Sequence, residues 1–411
     1  MTLSVAPLVE MTGPRRLLLL LLLPAGLFWL LQAFAPFLSL MYLGRLGSTF
    51  VFTIFKPLLP ALATELSEAS VRGRLVFVQA AISSGAQLAV YAMASLLPWG
   101  LTTALCGPPF LLLFVATLFV PESPYWLVRQ GLTEEATDSL RKLRGADKDV
   151  GAEADEIRKG LEQHTNTTMI DQIKQLSAPK HLRPVVFLTA VFGVRELGGQ
   201  YVIFAYTVHL FRKAGVALDA FVCTVLVGLV RFVFTIIASA IADRFGRRPL
   251  FISSCLACAV AYAVGGGFLL LELPGTSWVP LASVLTYAAS YSLGIGIMPW
   301  VLLGEVLPTP VRSLGSTICT FHFSLVQFVV SYVFPALLHA TSVGVVLVIF
   351  AAVHVVLTAI LVLFLPETRG RSLSDLQDVF APRSQQVDSE GDSASDSRGK
   401  ETPEGKEEVI E

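Results

Sequence analysis

Apolar stretches of about 20 residues, separated by short polar connections, run along most of the chain. They fall near 17–37, 44–64, 75–97, 101–120, 183–207, 219–242, 249–271, 279–302, 314–337 and 343–365. As a helix, each is about long enough to cross a hydrocarbon core of ~30 Å. The pattern therefore predicts an all-α, multi-pass membrane protein with about ten spans. An even count puts both termini on one side.

The polar connections set the direction of the spans. Arg15 and Arg16, Arg72 and Arg74, the 128–183 segment, Arg244, Arg247 and Arg248, Arg312, and Arg369 and Arg371 all fall on alternate connections. The opposite connections carry little beyond Arg45, Arg212 and Lys213. Cytoplasmic loops retain lysine and arginine, so the first set and both termini are expected in the cytoplasm. This charge pattern does not choose between membranes. Arg15-Arg16 before a leucine run has the outline of a signal peptide. Continuous spans follow it and no convincing small-residue cleavage site precedes Tyr42, so the run reads as a retained span, with cleavage the minor alternative.

Composition removes other classes. Hydrophobic residues make up 54% and charged residues 15%, and mean hydropathy is +0.67, which excludes an ordinary water-soluble domain. The net charge of -1 hides cations beside the spans and acids in the tail, and nothing points to nucleic acid. Cys106, Cys223, Cys255, Cys258 and Cys319 lack metal-ligand or disulfide spacing and read as apolar packers. No nucleophile–base–acid constellation or phosphate-binding loop is visible, so neither enzymatic chemistry nor a cofactor is expected.

Three charged motifs narrow the field. Asp243-Arg244-Phe245-Gly246-Arg247-Arg248 forms a hairpin between two spans, with glycine where the chain reverses. Pro121-Glu122-Ser123-Pro124-Tyr125-Trp126-Leu127 and Pro366-Glu367-Thr368-Arg369-Gly370-Arg371 each follow a span. Gly44-Arg45, Glu65 and Arg72-Gly73, with Pro299-Trp300, Glu305, Pro308 and Arg312, complete the set. Together, over about residues 13–380, they resemble the sugar porters of the major facilitator superfamily, which include animal facilitated glucose and trehalose carriers.

That resemblance implies two helical halves rocking about a midplane site, with a small polar solute, foremost a sugar, and the lipid bilayer as partners. On the resemblance alone, the plasma membrane is expected ahead of an endomembrane. Gly13-Pro14-Arg15-Arg16 resembles the hairpin between the family's second and third helices, so the chain is expected to start at helix three. The implied organisation is a partial N-terminal bundle (1–120), a cytoplasmic helical linker (121–182), a six-helix bundle (183–380) and a disordered acidic tail (381–411). The resemblance also implies a cytoplasmic gate of Glu65, Arg72, Asp243, Arg244, Gly246, Arg247, Arg248, Glu305 and Arg312, with Glu122 and Glu367 as further acidic partners. The plainer reading is that these charges stop spans by staying in water.

The family's sugar site departs here. Its glutamine-rich helix seven reads Arg195-Glu196-Leu197-Gly198-Gly199-Gln200-Tyr201, and the helix-five glutamine is Ala80, with Gln79 one residue earlier. The helix-eleven Asn-Trp pair is Phe323-Ser324, followed by Gln327, while Trp300 is kept. Lys56, Arg195, Glu196 and Arg231 lie inside spans, where an ionised group costs ~2.5–3.5 kcal/mol and should face the interior. The candidate substrate site is therefore Lys56, Gln79, Arg195, Glu196, Gln200, Tyr201, Arg231, Trp300 and Gln327.

Two readings of these charges compete: the cations bind an anion, as in an organic-anion carrier, or Glu196 neutralises Arg231 or Arg195 and the set is structural. Successive helical residues point ~100° apart, so Arg195 and Glu196 both face the centre only if Gly198-Gly199 unwinds the helix. A transport-inactive truncated protein acting as a binding partner is the third possibility. The orientation is open to a direct test: tags at either terminus should be hidden from antibody in intact cells. Surface labelling of a C-terminal tag would reverse the assignment.

Overall fold

Within hydrocarbon, a lipid-facing segment must satisfy every backbone N–H and C=O by itself, which is why the apolar runs fold as helices. The computed structural model describes residues 5–145, 150–164, 169–308 and 311–367, except the side chains of 5–7, 69–74, 76–77, 160–164, 169–172, 180, 242–245 and 312–313. The expected tail 381–411 lies outside the described residues, as does the closing motif beyond Glu367.

A short α1 (Val5–Thr12) leads into α2 (Pro14–Ala33), α3 (Leu38–Leu66), α4 (Ala69–Leu96), α5 (Trp99–Leu105) and α6 (Pro108–Leu118). The polar segment holds α7 (Pro124–Arg129), α8 (Thr133–Arg144), α9 (Val150–His164) and α10 (Met169–Leu176). Then come α11 (Pro179–Leu197), α12 (Gln200–Ala205), α13 (Thr207–Lys213), α14 (Ala220–Phe245), α15 (Arg247–Leu271), α16 (Val279–Leu293), α17 (Met298–Val306), α18 (Arg312–Ala340) and α19 (Val343–Phe364). Among the described residues, 9 segments are long and apolar enough to cross a membrane. The remaining expected span, 75–97, falls within α4, a helix of 28 residues.

Three of the expected continuous spans are broken instead. The 101–120 window is α5 and α6, parted at Cys106-Gly107; 183–207 is α11 and α12, parted at Gly198-Gly199; and 279–302 is α16 and the start of α17, parted at Gly294–Ile297. Apolar periodicity cannot register such breaks, because the residues on either side remain hydrophobic.

In the first group of helices, α2 lies on α3, α5 and α6 around Leu17, Leu22, Val51, Ile54 and Leu58. A larger core joins the later helices: α15 lies between α16 and α19, and α11 lies on α18 and α19. The α4–α14 pair runs between the two groups. Outward faces bear exposed Leu112, Phe328 and Leu363, as a lipid-facing surface requires.

The arginine-bearing ends hold two matching clasps. Gly13 and Gly246, with φ of 84° and 83°, each turn the chain into a helix. Glu122 accepts from the Arg15 amide at 2.9 Å, and Glu367 accepts from the Arg247 and Arg248 amides at 3.1 and 3.3 Å. Both carboxylates thus fill unpaired N–H groups at a helix start, where the helix dipole favours negative charge. Arg15 donates to the Leu118 carbonyl at 2.8 Å, and Arg248 to the Val362 carbonyl at 2.9 Å. The polar segment is fastened separately: Arg144 donates to the Leu66 carbonyl at 3.0 Å and to Glu153 at 2.8 Å. The bond to Glu153 pushes the Arg144 guanidinium above its ordinary range.

At Gly246 the backbone (φ 83°, ψ 159°) is essentially open only to glycine, and an added Cβ would stand 3.0 Å from Glu367 Oε2. Gly246→Ala should therefore cost about 1–3 kcal/mol. Gly304→Ala, inside α17 with open space around it, should be neutral or stabilising by up to about 1 kcal/mol. Thermal unfolding of the purified variants checks this, and equal melting of the two would contradict it.

Candidate functional site

The breaks in α11/α12 and α16/α17 meet inside the protein. Gly199 adopts a left-handed conformation, φ 73° and ψ 18°, with the Phe350 ring where a side chain would go. The expected unwinding at Gly198-Gly199 is therefore present, but Arg195 and Glu196 both lie before it, in the last turn of α11, and meet without it. At the second break, Ser254 of α15 supplies what the helix has lost: its hydroxyl donates to the Ser290 carbonyl at 2.6 Å and accepts from the Ile295 amide at 3.0 Å.

Arg195 ties one break to the other. Its Nε donates to the Ile295 carbonyl at 3.0 Å. The remaining guanidinium nitrogens donate to Glu196 at 3.1 Å, Gln200 at 3.1 Å and the Tyr291 hydroxyl at 2.7 Å. Gln200 also donates to Glu196, and Tyr291 to Gln200, closing the network. Arg195 and Glu196 are 3% and 1% exposed, so a buried charge pair sits at the break, with each guanidinium nitrogen hydrogen-bonded.

The other two intramembrane cations behave differently. Lys56 Nζ, on α3, lies 4.2 Å from the Phe323 ring centre and 5.4 Å from that of Trp300. Arg231, on α14, lies 4.2 Å from Phe204 and 5.4 Å from Tyr291 and donates to Gln87 on α4. Gln87 donates to Tyr91 at 2.7 Å, and Tyr91 to the Phe204 carbonyl at 2.6 Å. Trp300, Phe323 and Phe192 form a T-shaped aromatic cluster with centres 5.0–5.9 Å apart.

The family model for sugar (and other) transporters matches residues 2–380. This chain belongs to that family. A facilitated trehalose transporter of Apis mellifera ligustica is 31% identical over 382 residues, 91% of this chain and 76% of that protein. One from Aedes aegypti is 30% identical over 385 residues, 90% of this chain; there the chain spans 47% of the relative's length. The xylose transporter XylE from E. coli, in an inward open conformation, matches with TM-score 0.77 and 23% identity over 92% of this chain and 86% of that one. XylE bound to 6-bromo-6-deoxy-D-glucose matches with TM-score 0.74 and 24% identity over 91% of this chain and 84% of that one. The fold is that of the major facilitator superfamily.

Set against the sugar-porter expectations, Lys56, Arg195, Glu196, Gln200, Arg231 and Trp300 gather around the breaks. Glu196 pairs with Arg195, and the alternative partner Arg231 is held by Gln87 and aromatic faces instead. Gln79 is exposed and apart: eight residues before Gln87, it lies about 12 Å along the helix and about 80° round it. Tyr201, 43% exposed, turns away from the network its neighbour Gln200 joins. Gln327 is half-buried on α18 and makes none of the contacts above.

Of the gate residues, Glu305 stands 3.4 Å from Arg247. Glu65 accepts from Ser123 at 2.5 Å and stands 3.7 Å from Arg129. The side chains of Arg72, Asp243, Arg244 and Arg312 lie outside the described residues.

Gln87, Tyr91, Phe204, Tyr291 and Phe323 complete the site without having been expected there. Gln87 and Tyr91 leave a trace in the sequence, two polar groups four apart on one helix face. Tyr291 leaves none, since its role depends on a break in another helix.

Glu196→Gln should destabilise the protein by about 3–5 kcal/mol, because Arg195 stays buried without its counter-ion. A double-mutant cycle should give a larger coupling for Glu196 with Arg195 than with Arg231. Unfolding of the purified single and double variants measures it, and a larger Glu196–Arg231 coupling would refute the assignment.

Proposed function

We propose that this protein is a membrane carrier that moves a small polar solute, foremost a sugar, by alternating access. The observation that supports this most is the placement of the polar network. It sits where two helices break, and residues of α3 and α4 reach it from one group of helices while α11, α14 and α17 reach it from the other. Lys56 on Phe323 and Arg231 on Gln87 both bridge the groups. Contacts of this kind exchange when two halves rock around a fixed site.

In this reading 1–120 and 183–380 are the moving bundles and 121–182 is a linker on the cytoplasmic side of the plasma membrane. The Glu305–Arg247 pair and the Gly246 clasp brace the cytoplasmic end of 183–380. The Glu65–Arg129 pair and the Gly13 clasp join 1–120 to the linker, and on this reading these braced ends close against each other. The trehalose transporters named above make trehalose the first solute to try.

Purified protein in liposomes should take up radiolabelled trehalose or glucose saturably. Glu305→Gln should shift the resting population toward the inward-open state, read as faster labelling of cysteines introduced on the cytoplasmic side. Absence of sugar flux, with labelling unchanged, would overturn the carrier reading.

A further inference from the structure

Positive charge is in surplus where the two groups of helices meet. Lys56, Arg195 and Arg231 face a single intramembrane carboxylate, Glu196. Arg195 accounts for that carboxylate: the two form a salt bridge at 3.1 Å, and Glu196 Oε1 also accepts from Gln200. Glu196 is within electrostatic reach of Lys56. Among the described residues, though, neither Lys56 nor Arg231 closes a salt bridge with any acid.

Both of these cations are half-buried and rest on aromatic faces, Lys56 over Phe323 and Trp300, Arg231 over Phe204 and Tyr291. A ring face attracts a cation but accepts no ordinary hydrogen bond. Among the described residues the Lys56 ammonium has no hydrogen-bond acceptor and the Arg231 guanidinium has one, Gln87. Lys56 stands on α3 and Arg231 on α14, so the surplus charge comes from both groups of helices. A neutral sugar could offer these donors only uncharged hydroxyl and ether oxygens. An anionic oxygen would give them charge-assisted bonds, which are roughly twice as strong as neutral ones.

On the carrier reading above, we propose that the solute is a hydroxylated anion, a sugar bearing a carboxylate or a phosphate. Lys56 and Arg231 hold the charge, and the half-buried Trp300 ring offers a face to the sugar ring.

The test is equilibrium binding of D-glucose, D-glucuronate and glucose 6-phosphate to the purified full chain in detergent. One of the two anions should bind at least about tenfold tighter than glucose, a difference of about 1.4 kcal/mol. The order of the two anions tells a carboxylate from a phosphate source. Lys56→Gln and Arg231→Gln should each shrink the anion-to-glucose ratio severalfold, whereas Lys56→Arg and Arg231→Lys should retain most of it. Glucose binding as tightly as both anions to the wild-type chain would overturn the proposal, even where a variant fails to fold. So would a ratio unchanged in both neutral variants. Binding is read without flux, so an anion preference without transport would remove only the carrier reading.

Discussion

One guanidinium holds the centre of this protein. Two membrane helices are unwound where they meet, and unwound backbone inside a membrane is tolerated only where protein or water satisfies it. Arg195 meets that need from the end of α11: it fills the freed carbonyl of Ile295 in the second break and joins Gln200 just past the first. Arginine suits the position because its five donors are fixed in one plane and stay charged, so one side chain can serve several acceptors. The charge needs compensation, which Glu196 supplies.

The rest of the site follows from that junction. Arg195 and Glu196 stand in the last turn of α11, just before the break at Gly198-Gly199, and their long side chains reach one buried network from adjacent positions. The break leaves Gln200 and Tyr291 facing each other, with the aromatic cluster of Phe192, Trp300 and Phe323 alongside. Lys56 and the Gln87–Arg231 contact then connect the junction to the first group of helices. The clasps at Gly13 and Gly246 lie at the far ends of α2 and α15. There the same principle, a carboxylate filling unpaired amides at a helix start, is used twice.

Much of this was legible in the sequence, and the missing parts have physical causes. Span positions follow from hydropathy, and the charged motifs mark their ends because charge stays out of lipid. The Gly198-Gly199 unwinding was legible in the paired glycines, although Arg195 and Glu196, both still within α11, meet without its help. The break at Gly294–Ile297 was not legible, since its freed groups are satisfied by Ser254, 41 positions away from Ile295. Gln79 was a natural candidate by alignment to a helix-five glutamine, yet rotation along α4 makes Gln87 the residue that meets Arg231. Which cation Glu196 takes is a matter of tertiary distance, to which sequence spacing is blind.

Amide hydrogen exchange of an Arg195→Lys variant tests the central role of Arg195 most directly. Lysine keeps the charge but loses the planar fork. If Arg195 ties the two breaks together, protection should fall both at 197–200 and at 293–298, while the α15–α19 core stays protected. Loss confined to 197–200, with 293–298 exchanging as in the wild-type chain, would contradict that account.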